Sequence, residues 1–280
     1  MKNYALIGHP LGHSMSPMIH DRLFALSGRD AFSYNLTDIL PENLADSGDY
    51  LRSLEGFNVT IPHKTEIIPL LDELDESALR YNAVNCVKNQ NGRLIGYNTD
   101  CDGFVSSAKA LPLNGEVVLL GCGGVGRMIA IETVMKDASL TIAVRNEDIL
   151  TAQRLMAEIL SKCSNASVKI TGINDIQGKY DLLINATPVG MFPNVNDCPV
   201  SDSVIENCAT FFDVIYNPTE TMLLKKARAM NKAAVGGASM LVYQAVKAHE
   251  IWDGDFYTHE QIADIVAETE KAVENMQQTV

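Results

Sequence analysis

Four short stretches of the sequence hold side chains able to do chemistry in concert. Residues 12–17 (GHSMSP), 58–64 (NVTIPHK), 83–85 (AVN) and 98–100 (NTD) gather hydroxyl, amide, ammonium and carboxylate groups beside strand-like runs. Lys64 is a candidate proton donor. A lysine beside a substrate hydroxyl can act as general acid and base if its pKa is lowered, and an aspartate such as Asp100 can orient its ammonium group and join the proton relay. A solvated helix lysine and an N-capping aspartate are the competing readings of the same two residues. Ser14 and Ser16 stand two apart ahead of a helix, so both hydroxyls can donate to a carboxylate while the helix terminus adds a favourable dipole; simple capping is the alternative. Asn58 and Thr60 alternate along a strand and so face one side, with Lys64 in the first turn of the following helix. His13 and His63 invite attention because histidine as a residue type titrates near neutrality. Neither belongs to a nucleophile triad: there is no G-x-S-x-G elbow and no metal-ligand spacing of His, Cys or carboxylates, which argues against hydrolase and metalloenzyme chemistry.

A second kind of signal lies at 121–126, where Gly121-Cys122-Gly123-Gly124-Val125-Gly126 follows a strand-like run and precedes a helical one. This is the G-x-G-x-x-G pattern in its strand-turn-helix setting. The first glycine permits the tight turn, the second lets the backbone approach a pyrophosphate and the third allows close helix packing, while the helix N-terminus offers free N–H groups. At the end of the next strand an acid would meet a ribose 2′-hydroxyl, yet Arg145-Asn146 stand there instead. A cation favours a 2′-phosphate and hence NADP; the adjacent Glu147 and Asp148 pull towards a free hydroxyl, and NAD stays open. Hydride transfer from such a cofactor would be the other half of the chemistry assigned to Lys64.

The elements that must position these groups alternate strand and helix, the pattern of an α/β protein with parallel βαβ units. Strands are expected at 4–8, 31–36, 56–61, 83–88 and 93–97, the last two flanking the hairpin turn Asn91-Gly92. Helices are expected from Ser16 as N-cap, with Pro17 first in the helix, to Leu26, and over 62–71. A helix from 103 to near Pro112 leads into a second pattern, with strands at 116–121, 140–144, 168–171, 181–186, 211–215 and 233–235, as in a doubly wound sheet. Two helices, 239–251 and 258–276, close the chain. At 280 residues and 46% hydrophobic, the sequence has length for one large or two ordinary domains, each with its own core. Its net charge of −13 leaves no basic field for nucleic acid. No apolar run spans a bilayer and no signal segment opens the chain, so a cytoplasmic address is expected. The six scattered cysteines read as reduced thiols.

Taken together, the segments resemble the shikimate dehydrogenase family, and the likeness runs in order across nearly the whole chain. It rests on residues 8–17, 58–64, 83–85 and 98–100, the glycine turn, Asn185-Ala186-Thr187-Pro188, the stretch from Asp213 through Tyr216-Asn217-Pro218, and Met240-Leu241 through Gln244. The resemblance implies reversible NADP-linked reduction of 3-dehydroshikimate to shikimate in aromatic amino-acid biosynthesis. Lys64 and Asp100 match the family's catalytic pair. Ser14 and Ser16 would bind the carboxylate, and Asn58, Thr60, Asn85, Tyr216 and Gln244 would contact the ring and its hydroxyls. Cofactor contacts would come from Gly121, Cys122, Gly123, Gly124, Val125, Arg145, Asn146, Thr187, Val214, Gly237 and Met240, with Glu76 a further candidate. The fold implied is an N-terminal mixed α/β substrate domain, 1–102 with 238–280, and a doubly wound Rossmann-type nucleotide domain, 103–237, flanking a cleft, with hinges near 102–103 and 236–237. The departures concern the cofactor: the family's Asn-Arg-Thr reads Val144-Arg145-Asn146, a second basic residue is missing, and Gly-Leu-Gly-Met reads Gly237-Ala238-Ser239-Met240.

Two readings compete with a monomeric or homodimeric NADP-linked shikimate dehydrogenase. One is a quinate/shikimate enzyme that accepts NAD, motivated by Glu147 and Asp148. The other is a non-catalytic sensor of a dinucleotide or shikimate-like ligand, which would have no need of Lys64 and Asp100. A folate-linked dehydrogenase of related architecture fits less well, because paired serines suit a compact acid better than a pteridine.

Overall fold

The computed structural model describes residues 2–12, 14–29 and 31–277, so His13 lies outside the described residues. The chain divides into two compact units, Met1–Gly103 with Val242–Thr269 and Phe104–Leu241 with Glu270–Val280.

The sheet of the first unit is organised on β1 (Lys2–Gly8). Tyr4 and Leu6 enter one core with Phe24, Tyr34 and Trp252, and Ala5 and Ile7 enter another with Phe57, Val59 and Leu94. Burial of alternate side chains on opposite faces is what a strand covered on both sides requires. β2 (Phe32–Asp38) and β3 (Gly56–Val59) run parallel to β1 on either side. β4 (Glu73–Leu74) forms the far edge, beyond the antiparallel hairpin of β5 (Cys86–Gln90) and β6 (Arg93–Tyr97), giving the order β2-β1-β3-β5-β6-β4. Asn91 and Gly92 both take positive φ, 56° and 88°, as the hairpin turn requires.

Helices of this part of the chain are α1 (Ser16–Leu26), α2 (Gly48–Ser53), α3 (His63–Glu66), α4 (Glu76–Tyr81) and α5 (Asp100–Ser107). Besides shifts of a few residues at other element ends, three details differ from the sequence-based expectation. The helix expected over 62–71 stops at Glu66 and continues as a 3-10 turn over Ile68–Leu70, because Pro69 has no N–H to extend the helical ladder. The strand expected from 83 begins only at Cys86: the N–H of Val84 donates to the Lys64 carbonyl at 2.7 Å and that of Asn85 to Tyr97 at 3.1 Å. Ser16 is the first residue of α1 rather than its cap, and Met15, with helical backbone, occupies the cap position.

The second unit carries a six-stranded parallel sheet in the order β12-β11-β10-β7-β8-β9. Its strands are β7 (Glu116–Leu120), β8 (Ser139–Val144), β9 (Ser167–Gly172), β10 (Tyr180–Asn185), β11 (Cys208–Asp213) and β12 (Ala233–Val235). Val117 through Leu120 are wholly buried, the near-continuous apolar run of a central parallel strand covered on both faces. The connecting helices are α6 (Gly124–Val134), α7 (Ile149–Lys162), α8 (Asp202–Glu206) and α9 (Met222–Ala229), followed by α10 (Ala238–Asp253) and α11 (His259–Gln277). Strand order reverses between β10 and β8 around β7, which makes the carboxyl end of β7 the topological switch point of a doubly wound sheet. Among the described residues, no helix is long and apolar enough to cross a membrane.

Candidate active site

In the first unit, strand pairing collects residues far apart in sequence. Asn58 on β3 lies opposite Cys86, and Cys86 lies opposite Tyr97, so Asn85 and the 98–100 segment reach the same end of the sheet. The Asn85 side chain, almost fully buried, is the hub. Its carbonyl oxygen accepts from the Thr99 backbone N–H at 2.6 Å, and its amide donates to Asp100 Oδ1 at 2.8 Å. The other oxygen of Asp100 accepts from Lys64 Nζ at 2.6 Å. Asn98 braces the turn by accepting from the Asp100 N–H at 3.1 Å and donating to the Ala83 carbonyl at 3.0 Å.

Lys64 and Asp100 keep side-chain exposures of 27% and 18%. An ion pair open to water to this degree contributes only about 0–1 kcal/mol to stability. Stability therefore does not account for the buried amides that aim the carboxylate. The arrangement presents an ammonium group, fixed in direction and reachable by a ligand, as a general acid does.

Asn58 joins the same network. Its amide donates to the Asn85 carbonyl at 3.2 Å and its Oδ1 accepts from the Tyr34 hydroxyl at 2.8 Å. Ser14 Oγ accepts from the Ser16 N–H at 3.2 Å, a bond that leaves the Ser14 hydroxyl hydrogen able to donate elsewhere. Ser16 is buried at the start of α1, Thr60 is half-buried just beyond β3, and Gln244 is buried on α10. Glu76 stands in the first turn of α4, also in this unit. His63 is buried and its Nε2 lies 2.7 Å from the Ile39 carbonyl, a structural position.

The second unit places the remaining candidates around the switch point. Gly121 has φ +88°, a conformation other residues resist, and a Cβ there would lie 3.0 Å from Thr187. A Cβ on Gly126 would lie 2.6 Å from the Gly121 carbonyl, so this glycine lets α6 pack against the turn. Gly123 and Gly124 have open space where a Cβ would stand. Gly121 and Gly126 thus meet steric demands of the motif, and the middle of the turn is open at the N-terminus of α6. Cys122 and Val125 are half-buried within the same turn.

Thr187 is held by Asn185, whose Oδ1 accepts from its N–H at 3.1 Å and its hydroxyl at 2.7 Å. Asn185 in turn donates to Asp213 Oδ1 at 3.1 Å, while the Thr221 hydroxyl donates to Asp213 Oδ2 at 2.8 Å. Burial pushes the Asp213 carboxyl up to about 6 despite these bonds. Val214 follows directly, and Gly237 packs against its carbonyl with no room for a Cβ. Met240 is buried, and Tyr216 is half-buried with its phenol pushed up by burial. Arg145 leaves the end of β8 two-thirds exposed, its Nε 2.9 Å from Asp148 and its Nη1 3.2 Å from Glu147. Asn146 opens the 3-10 turn that carries both acids.

The structure thus joins Lys64, Asp100, Asn85 and Asn58 in one bonded network. Asn98 and Thr99 belong to the 98–100 stretch without a role of their own in the sequence reading, and Tyr34 lies outside all four stretches. The Asn98-Thr99-Asp100 spacing carries an Asx-turn signal for the first two, whereas nothing local marks Tyr34. No grouping of three or more His, Cys, Asp or Glu suited to a metal occurs among the described residues.

Residues 6–87 match the family model described as the shikimate dehydrogenase substrate binding domain. The chain is 39% identical over 274 residues to the shikimate dehydrogenase (NADP(+)) of Geobacillus sp. (strain WCH70), covering 95% of this chain and 98% of that protein. This chain belongs to the shikimate dehydrogenase family. A second relative, the shikimate dehydrogenase (NADP(+)) of Methanocaldococcus jannaschii, is 40% identical over 261 residues, 90% of this chain and 92% of that one. Among solved structures, a shikimate dehydrogenase in complex with NADP+ matches with a TM-score of 0.86 at 37% identity, covering 95% of each chain.

Proposed function

We propose that this chain catalyses the reversible NADP-linked reduction of 3-dehydroshikimate to shikimate, with Lys64 as the group that gives and takes the proton. The observation that carries the assignment of roles is the Lys64 ammonium 2.6 Å from an Asp100 carboxylate that the buried Asn85 aims. Bound NADPH supplies the hydride that reduces the carbonyl carbon. Lys64 supplies the proton that the developing alkoxide oxygen takes up, and in the oxidative direction it receives that proton back. Asp100 keeps the ammonium group pointed at the reacting oxygen.

Ser14 and Ser16 hold the substrate carboxylate, and Asn58, Thr60, Asn85, Tyr216 and Gln244 hold the ring and its hydroxyls. The turn over 121–125 and the α6 N-terminus receive the pyrophosphate, since the open space at Gly123 and Gly124 suits close backbone approach. Arg145 meets the 2′-phosphate with Asn146 beside it, and Thr187, Val214, Gly237 and Met240 line the nicotinamide side, with Glu76 a further contact from α4. None of the six cysteines is disulfide-bonded, which suits the reducing cytoplasm, where the chain acts as a monomer or homodimer.

Steady-state assay of nicotinamide absorbance with shikimate and quinate against NADP and NAD tests this reading. Highest kcat/KM with shikimate and NADP is expected. No turnover with any of the four pairs, despite measurable binding, would overturn catalysis, and preference for NAD would overturn the role of Arg145.

A further inference from the structure

We propose that Tyr34 is a positioning residue that holds the oxygen end of the Asn58 carboxamide in place, so that Asn58 meets the substrate as a hydrogen-bond donor. The proposal rests on the reading of Asn58 as a substrate contact and goes beyond it by naming what orients that contact. Tyr34 belongs to β2, and β1 separates β2 from β3. Leu6 of β1 is level with Leu36 on one side and Asn58 on the other. Tyr34, two residues from Leu36, shares its face of the sheet, and its ring spans the width of β1 to bring the hydroxyl 2.8 Å from Asn58 Oδ1. A shorter side chain at position 34 could not make this reach.

The ring is itself held. It stacks on His20 of α1 with centroids 4.0 Å apart and an interplanar angle of 11°, and His20 Nδ1 lies 3.0 Å from His249 Nε2 on α10. Tyr34, Asn58 and both histidines are buried. Burial drives the Tyr34 phenol far above its ordinary range, holds His20 well below its own and lowers His249, so the hydroxyl stays protonated and able to donate.

The consequence for Asn58 follows from its inventory of donors and acceptors. Its carbonyl faces the Tyr34 hydroxyl, and one N–H goes to the Asn85 carbonyl at 3.2 Å. The second N–H is what the side chain has left to offer, so the partner must be an oxygen acting as acceptor. Rotated by half a turn, the amide would set its oxygen against the Asn85 carbonyl and its NH2 against the Tyr34 hydroxyl. The Asn85 carbonyl, which can only accept, rules the rotated amide out, and the Tyr34 hydroxyl, which donates to the carboxamide oxygen, is the contact that mutation can remove without touching the backbone.

The test is a double-mutant cycle in steady-state kinetics with Tyr34→Phe, Asn58→Ala and the pair. Tyr34→Phe keeps the ring and its stack and removes one buried hydrogen bond, so the KM for shikimate should rise about three- to tenfold. The kcat and the KM for NADP should each stay within about twofold, a split that general loosening of the fold would not produce. In the Asn58→Ala background, Tyr34→Phe should have no further effect, because the residue it acts through is gone. Additive effects in the double mutant, an equal rise in the KM for NADP, or an unchanged KM in Tyr34→Phe with a raised one in Asn58→Ala each overturn the proposal alone. An unchanged shikimate KM in Asn58→Ala overturns the reading of Asn58 as a substrate contact, and the proposal with it. A readout without any variant is the Asn58 side-chain amide in nitrogen-labelled wild-type protein. Slow exchange of its N–H hydrogens with solvent is expected, and rapid exchange overturns the claim that the amide is held.

Discussion

Replacing Lys64 separates proton delivery from structure, because the geometry assigns very different sizes to the two effects. The ammonium group of Lys64 makes a bond of 2.6 Å to Asp100, but both side chains stay partly open to water, at 27% and 18%. The attraction of such a pair is largely offset by desolvation and side-chain ordering, so its net contribution is about 1 kcal/mol or less. Asp100 is not orphaned by the loss, since Asn85 still donates to its other oxygen at 2.8 Å. In a chain of this size about 1 kcal/mol shifts the melting temperature by roughly 2–4 °C. Loss of a positioned proton donor lowers turnover by about 10²–10⁴, which is roughly 3–5 kcal/mol of transition-state stabilisation. Lys64→Ala is therefore expected to keep its fold and most of its affinity for shikimate while kcat falls by that factor. Lys64→Arg gives the sharper contrast: it retains the charge and the ion pair but holds its proton too tightly to pass it on, so stability recovers and turnover does not. The assay is kcat and KM from nicotinamide absorbance beside thermal unfolding of each variant. Near-normal turnover in Lys64→Ala would refute the assigned proton donor, and a collapse of the melting temperature matching the activity loss would make Lys64 structural.

Two further outcomes follow from the second unit. Arg145→Ala should raise the KM for NADP about tenfold, the scale of a lost charge-assisted bond to phosphate, and leave the KM for NAD nearly unchanged; equal changes with both cofactors would remove Arg145 from the 2′-phosphate. Asp213 titrates near 6 in the folded chain against 3.8 for a free carboxyl, so the folded state binds this proton more tightly than the unfolded one. Stability from this group is complete below the unfolded value and is lost as pH rises through the folded one, by about 3 kcal/mol over that window. Asp213→Asn should thus gain on wild type in urea unfolding as pH is raised from about 4 to about 6 and hold its gain above that; parallel curves would show that Asp213 does not titrate there.

Much of this protein is legible locally. The turn at 121–126 can be read from sequence because each glycine answers a short-range demand: positive φ at Gly121, open space at Gly123 and a close backbone at Gly126. The hairpin at Asn91-Gly92 has the same origin, and the buried run of β7 reflects a strand covered on both sides. Lys64 and Asp100 could be proposed from residue type, with chemistry to match and the likeness of ordered segments behind them. What the residue order could not supply is who holds whom. Asn85 aims Asp100 because β3, β5 and β6 pair in one register, and Tyr34 reaches Asn58 because β1 lies between their strands. The acids after Arg145 were visible as neighbours, but only the fold shows them clasping it, and only burial raises Asp213. Turn and strand propensities are set by a residue and its immediate neighbours, whereas hydrogen-bond partners and desolvation depend on segments that sequence separates by tens of residues and the sheet brings within about 3 Å.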